Sequence, residues 1–174
     1  MTDTTISIAA PSPASQRFVD EYKTAMRHVA SQVAIVTYGR GEDRGGITCT
    51  AICSASTEPP ALVVCINRSS PARDGIARAG AFAVNHLTDE QSEIARAFSQ
   101  SSQVAAPFDL GQWSTGSEGA PILAQATANF ECRIDQCIEI GGHTMFIGWV
   151  VAVQTAPGST LLYRDGFFRR LAQE

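Results

Sequence analysis

GITCTAICSASTEPPALVVCINRSSPA, from Gly46 to Ala72, holds the transitions that decide the fold. Its first part, ITCTAICSAS (Ile47 to Ser56), is rich in β-branched and small residues and reads as one extended segment. Thr48, Thr50 and Ser54 lie at even spacing there and would share one side of a regular strand. Pro59 and Pro60 interrupt the segment, because proline withholds a ladder donor and fixes φ. ALVVCIN (Ala61 to Asn67) then runs apolar to a polar exit and reads as a strand. In RSSPARDGIARAG (Arg68 to Gly80) the period changes to that of a short helix. Ser70 stands as N-cap, Pro71 at the first helical position and Gly80 beyond the last turn.

Upstream, Phe18, Tyr22, Ala25, Met26 and Val29 recur at helical spacing after Ser15, a candidate cap. VAIVTY (Val33 to Tyr38) is a short buried strand, and GRGEDRGG (Gly39 to Gly46) is a glycine-punctuated turn that pairs it with the opening segment as a hairpin. These glycines do not make a dinucleotide loop, because Arg44 stands where the third glycine would be required. Downstream, AFAVNHL (Ala81 to Leu87) is a strand, and Thr88 to Gln91 forms a capping box before a helix carrying Ile94, Ala95 and Phe98. Ser99 to Ala120 shows no period. ATANFECRID alternates, with Ala126, Ala128, Phe130, Cys132 and Ile134 on one face and polar residues on a solvent face. Met145 to Val153 is apolar enough for a central strand, and LLYRDGFFRRL (Leu161 to Leu171) turns at Asp165-Gly166. So many strands with few short helices predict a mainly β chain closed into a small barrel, since closure removes exposed edges.

The 174 residues, 44% of them hydrophobic, suffice for one domain with its own core, expected over residues 16–174 behind a mobile polar arm at 1–15. Thirteen basic residues against 17 acidic ones give a net charge of −4, with no basic cluster interleaved with aromatics, which argues against nucleic acid as a partner. No apolar run approaches the ~20 residues needed to cross a bilayer, and the N-terminus lacks the basic and apolar regions of a secretory signal. A cytoplasmic location is the expectation. Cys49, Cys53, Cys65, Cys132 and Cys137 are odd in number and lack zinc spacing, so no metal site is expected and they read as reduced, mostly buried thiols. A catalytic pairing of Cys132 or Cys137 with His143 has nothing nearby to lower the thiol pKa.

No carboxylate pair, nucleophile elbow or phosphate loop is present, so hydrolysis and phosphoryl transfer lose their usual anchors. Asn67, Arg68, Ser69 and Ser70 cluster where a strand enters a helix. With Arg73 they form either a plain helix cap among solvated arginines or an anion site. His143, in GGHTMFIGWV (Gly141 to Val150), is either an edge-strand histidine bonded to a carbonyl or part of a site wall, since the glycines before it leave room for a planar ring.

Taken together, FVDEYKTAMRHVASQVAIVT, GITCTAICSASTEPPALVVCINRSSPA, FAVNHL, GGHTMFIGWV and LLYRDGFFRRL, in this order, resemble the flavin reductase family. These are the short reductase components of two-component aromatic monooxygenases, that of 4-hydroxyphenylacetate 3-monooxygenase among them. The resemblance implies an FMN-binding split β-barrel and a homodimer. It also implies hydride transfer from NADH or NADPH to FMN or FAD, with the reduced flavin diffusing to a separate flavin-dependent monooxygenase. By position, Thr48, Cys49, Thr50, Ala51 and Ser54 would line the isoalloxazine, and Cys65, Asn67, Arg68, Ser69, Ser70 and Arg73 the ribityl and phosphate end. Phe82 and Asn85 would belong to the same wall, Phe168 would supply the aromatic before the final arginine pair, and His143 would orient the nicotinamide. Many members carry an acidic residue just before this histidine, where Gly142 stands here. A flavin-binding redox sensor or flavin store, and a haem-binding or pyridoxamine-phosphate-oxidising barrel, share the fold and stand as alternatives.

Overall fold

Ser15 accepts the Phe18 N–H on its hydroxyl at 3.3 Å, the bond of an N-cap, and α1 (Gln16–Arg27) follows. The structure, a computed structural model, describes residues 14–99 and 106–172, so most of the expected mobile arm and part of the aperiodic loop lie outside the described residues. α1 buries none of its residues. Phe18 and Tyr22 of its apolar stripe are about three-fifths exposed.

β1 (Ser31–Gln32) leads into β2 (Ala34–Tyr38), which returns through a 3₁₀ turn at Gly41–Asp43 as β3 (Gly45–Cys49), the expected hairpin. The regular strand expected over Ile47 to Ser56 is instead two strands. β3 pairs with β2, whereas β4 (Ile52–Thr57) pairs with β5 (Pro60–Asn67). α2 (Pro71–Ala79) has the expected boundaries: Ser70 Oγ accepts the Ala72 N–H at 3.3 Å, and Gly80 sits at φ 67°, which closes the helix in a conformation that costs glycine least. β6 (Ala81–His86) is buried throughout. The Thr88/Gln91 capping box opens a 3₁₀ turn that continues as α3 (Ser92–Ala97).

The loop that lacked a period holds β7 (Trp113–Thr115), which pairs with β8 (Pro121–Leu123) just beyond it. β9 (Ala128–Ile140) and β10 (His143–Thr155) form a long hairpin, β11 (Leu162–Arg164) and β12 (Phe167–Arg169) form another with its turn at Asp165-Gly166, and β11 also pairs with β1. The face of β9 opposite the core is the expected solvent face at Arg133 and Asp135 but not at Asn129 and Glu131. Asn129 and Glu131 are each only 5% exposed, because residues 114–124 fold over them. Glu131 accepts the Ser117 hydroxyl at 2.8 Å, and Asn129 donates to the Leu123 carbonyl at 3.1 Å.

The seven-stranded antiparallel sheet has the order β3-β2-β6-β9-β10-β5-β4. β3 and β4 follow one another in the chain yet stand at opposite ends of this sheet, so the sheet curls until its ends meet at Thr50-Ala51. There the Cys65 N–H donates to the Ala51 carbonyl at 3.0 Å. This closure makes the split barrel. Its interior is filled by Val36, Val64, Ile66, Phe82, Val84 and Phe146, all at most 2% exposed. A side chain at Gly148 would stand 2.9 Å from the Phe82 ring, so glycine is what lets Phe82 fill the centre. A second core beneath α3 joins Ile35, Leu87, Phe98, Leu123 and Leu161.

Candidate active site

Where β3 hands over to β4, the chain leaves one ladder at Cys49 and joins the other at Ile52, so Thr50 belongs to neither and Ala51 meets β5 only through its carbonyl, which accepts the Cys65 N–H. These two residues form the lip of a groove of about 510 Å3, within the ~300–1,000 Å3 of small-molecule sites. Val33, Ile47 and Cys49 give it apolar surface, and Cys65 and Asn67 come from the end of β5. His143 enters from the start of β10, directly across from Asn67 in the ladder, and its side chain is exposed. Tyr163 and Phe168, edge to face at 5.7 Å, wall the groove from the β11–β12 hairpin, and the Arg96 guanidinium lies 5.0 Å over the Phe168 ring.

Thr48 lines this groove, but its polar groups hold the scaffold: the hydroxyl donates to the Ala95 carbonyl at 2.6 Å and the N–H to the Phe98 carbonyl at 3.0 Å. Beyond Ile47 and Ser99 the groove continues into a depression of about 380 Å3, lined by Tyr38, Ser69, Ser70 and Phe98 at the start of α2. In this structure the turn satisfies itself. Asn67 Oδ1 accepts both the Ser69 N–H, at 2.9 Å, and the Ser69 hydroxyl, at 2.8 Å, while Ser70 caps α2. The hydroxyl of Ser69 is a rotor, so it can turn from Asn67 to an incoming anion.

Arg68 and Arg73 do not reach into either depression. Arg68 Nε meets Glu139 Oε2 at 2.9 Å, and Arg73 meets Glu139 Oε1 at 2.8 Å, Asp74 Oδ1 at 2.8 Å and the Thr144 hydroxyl at 3.2 Å. The hydrogen bonds from Arg73 and Thr144, with the nearby charge of Arg68, hold the Glu139 carboxyl below the ordinary carboxylate range. Glu139 stands opposite Thr144 in the ladder and bonds its hydroxyl, so its carboxylate lies on Thr144's face of the hairpin and not on that of the adjacent His143. Sequence order hides this, since only the β9–β10 register brings position 139 opposite Thr144.

Three expected wall residues are elsewhere. Phe82 is fully buried in the barrel interior, and Asn85 is fully buried in a hydrogen-bonded hub behind it, because β6 lies inside the sheet with both faces covered. Ser54 is exposed on β4 and lies outside the groove, since the ladder switch at Thr50-Ala51 breaks the even spacing. Val33, Ile47, Ala95, Arg96 and Tyr163 line the groove without having been singled out from the sequence. Of these only Tyr163, beside the Asp165-Gly166 turn, carried a local signal.

Four of the thiols have little thiolate character. Burial pushes Cys49 up to about 11 and Cys132 up to about 12, and burial raises Cys65 and Cys137 as well. All five are free. The expectation of mostly buried thiols holds for Cys49 and Cys132, whereas Cys53 and Cys137 are exposed. A groove with an apolar base, hydroxyls and backbone groups at its lip and no acid–base pair suits a flat conjugated ring with a polar tail, and a flavin fits that donor set. No helix among the described residues is long and apolar enough to cross a membrane.

Comparison with known proteins agrees with this geometry. Residues 26–172 match the family described as flavin reductase like domain. The chain is 37% identical over 147 residues to FMN reductase (NADH) RutF of Stutzerimonas stutzeri, covering 84% of each chain. It is 35% identical over 153 residues to the 4-hydroxyphenylacetate 3-monooxygenase reductase component of Pseudomonas aeruginosa, covering 86% of this chain and 90% of that one. The NADH:FAD oxidoreductase SgcE6 of Streptomyces globisporus, solved with NAD and FAD fragments, superposes with a TM-score of 0.83 at 30% identity, covering 93% of this chain and 98% of the other. The curled sheet, the groove at its join and these likenesses together establish that the chain belongs to the flavin reductase like domain family.

Proposed function

We propose that the chain is an NAD(P)H:flavin oxidoreductase that takes up FMN or FAD, reduces it with NADH or NADPH, and releases it for a separate flavin-dependent monooxygenase. The observation that carries this reading is the groove at the barrel join, which puts Thr50, Ala51, Cys65, Asn67 and His143 around one apolar base and holds no acid–base pair. The bound flavin supplies the hydride acceptor, its N5, for the C4 hydride of the nicotinamide. The protein's own part is positioning. Thr48 anchors β3 through Ala95 and Phe98, and the Thr50-Ala51 lip would offer backbone groups to a bound flavin. Ser69 and Ser70 receive the phosphate end, with Ser70 also setting the direction of α2. His143, on the rigid end of β10, orients the carboxamide and takes no proton.

The release of flavin is supported by the openness of the groove at the surface. The reductase-component name of one relative supports the separate oxygenase. A homodimer, and a place in the cytoplasm where reduced nicotinamides and free thiols occur together, complete the proposal.

The test is a steady-state assay of purified protein with each flavin and each nicotinamide, followed by stopped-flow reduction of a His143→Ala variant. Wild-type protein should consume nicotinamide in a flavin-dependent way without any second protein. The variant should show a raised KM for nicotinamide or slower flavin reduction while binding oxidised flavin almost normally. Flavin binding without nicotinamide consumption would make the chain a flavin store or sensor. Wild-type rates in the variant would leave His143 a structural residue.

A further inference from the structure

Arg96, in the last turn of α3, is the only arginine, lysine, aspartate or glutamate among the described residues that line the groove at the barrel join. Its backbone is fixed to that groove from both sides. Thr48 of β3 donates its hydroxyl to the Ala95 carbonyl at 2.6 Å and its N–H to the Phe98 carbonyl at 3.0 Å. The same two bonds occupy carbonyls at the C-terminal end of α3 that would otherwise disfavour a nearby anion.

The guanidinium is held as well. It lies 5.0 Å over the Phe168 ring, which packs edge to face on Tyr163 at 5.7 Å. Its ion pair is with Glu93 at 3.4 Å, and both side chains are mostly exposed, so solvent screens the pair and leaves most of the charge of Arg96 uncompensated. Neighbouring cations are engaged elsewhere: Glu139 holds Arg68 and Arg73, and Asp89 holds Arg170. Ser69 and Ser70 line the depression proposed for the phosphate end, whereas Arg96 does not, so its charge acts at the ring end of the site.

Hydride transfer moves two electrons and one proton from nicotinamide C4 to flavin N5. The nicotinamide is left a cation and the flavin ring an anion, its charge shared over N1 and the C2 carbonyl, with no proton required at N1. The oxidised ring is neutral. A cation fixed beside the ring therefore distinguishes the two redox states and binds the reduced one more tightly.

We propose that Arg96 stabilises the negative charge that hydride transfer leaves on the flavin ring, and so favours reduction without acting as an acid or a base. The proposal rests on the flavin reductase reading above and adds to it the residue that biases the redox equilibrium. Because the Arg96 side chain is largely exposed, the bias is modest and the reduced flavin can still leave.

The test is an anaerobic spectroelectrochemical titration of FMN with and without the full-length protein, since the difference in potential between free and bound FMN gives the ratio of affinities for reduced and oxidised flavin. Affinity for oxidised FMN is measured separately. In Arg96→Gln the ratio should fall about fivefold, the scale of an exposed ion pair, which lowers the potential of bound FMN by ~20 mV. Arg96→Lys keeps the charge and should recover most of the ratio, and Glu93→Gln removes the competing carboxylate and should raise it above wild type. Affinity for oxidised FMN should stay near wild type in all three variants, which also shows that the groove is folded. Riboflavin, which keeps the ring and lacks the phosphate, should give the same fall in Arg96→Gln. An unchanged ratio in that variant would overturn the proposal. So would a fall with FMN and none with riboflavin, because Arg96 would then serve the phosphate, or a raised KM for nicotinamide at an unchanged ratio, because it would then serve the co-substrate. Wild-type protein that binds neither redox form of FMN would instead refute the flavin reductase reading.

Discussion

Asn85 shows how a polar residue can be central to this barrel without touching a ligand. Its amide nitrogen donates to the Ile35 carbonyl and the Thr37 hydroxyl, both at 3.1 Å, and its oxygen accepts the Leu123 N–H and the Asn129 amide, both at 2.8 Å. Four groups from β2, β8 and β9 are thereby satisfied by one fully buried side chain. Removing it strands buried donors and acceptors that water cannot reach. Asn85→Ala should therefore lower stability by about 2–4 kcal/mol, read as a shifted denaturation midpoint, while flavin affinity measured where the variant is folded stays unchanged. The place in the flavin wall suggested by family resemblance requires the opposite pattern, lost flavin affinity at near-normal stability.

At the scale of elements, the strand-to-helix turn after β5 and the β9–β10 hairpin are coupled through Glu139. Its carboxylate holds Arg68 and Arg73 beside the proposed phosphate end. Glu139→Gln frees both arginines and removes a negative charge, so affinity for FMN should rise about two- to fivefold, the scale of an exposed ion pair, while affinity for riboflavin, which lacks the phosphate, stays constant. Acid should act in the same direction. Because the Glu139 pKa is depressed in the fold, the clamp is fully present above the ordinary carboxylate range and is lost only as the pH falls through the lower folded value. The FMN-to-riboflavin affinity ratios of Glu139→Gln and wild type should therefore stay a constant factor apart from neutral pH down through the ordinary carboxylate range, since the phosphate ionisation at pH ~6 affects both alike, and should converge only below it. A ratio that is unchanged in the variant would separate the clamp from the phosphate site. The ends of α2 were legible in the sequence because Ser70, Pro71 and Gly80 act within their own turn. The partners of Arg68 and Arg73 were not, since they depend on strands that meet across the sheet.

The same distinction governs the whole molecule. Local chemistry announced the hairpins, the caps and the Asp165-Gly166 turn, the number of strands pointed to a closed barrel, and the family likeness made it a split one. The switch of ladders at Thr50-Ala51 and the burial of Asn129 and Glu131 depend on which segments lie alongside, and neither periodicity nor spacing carries that information. The surface of the protomer has a consequence of its own. Trp149, Val151 and Val153 near the end of β10 are 39%, 44% and 55% exposed, and Ile138 and Ile140 on β9 are 40% and 62% exposed. A monomer seldom leaves so many large apolar side chains on one hairpin in water, and a two-fold interface between copies of the chain removes them together. Sedimentation or light scattering at micromolar concentration should give twice the mass of one chain. Val151→Asp with Val153→Asp should shift that mass toward the monomer, because each buried carboxylate would lack a partner. The barrel core should stay intact, since neither residue belongs to it. A wild-type protein that sediments as a monomer and retains full activity would show that the hairpin serves some other contact.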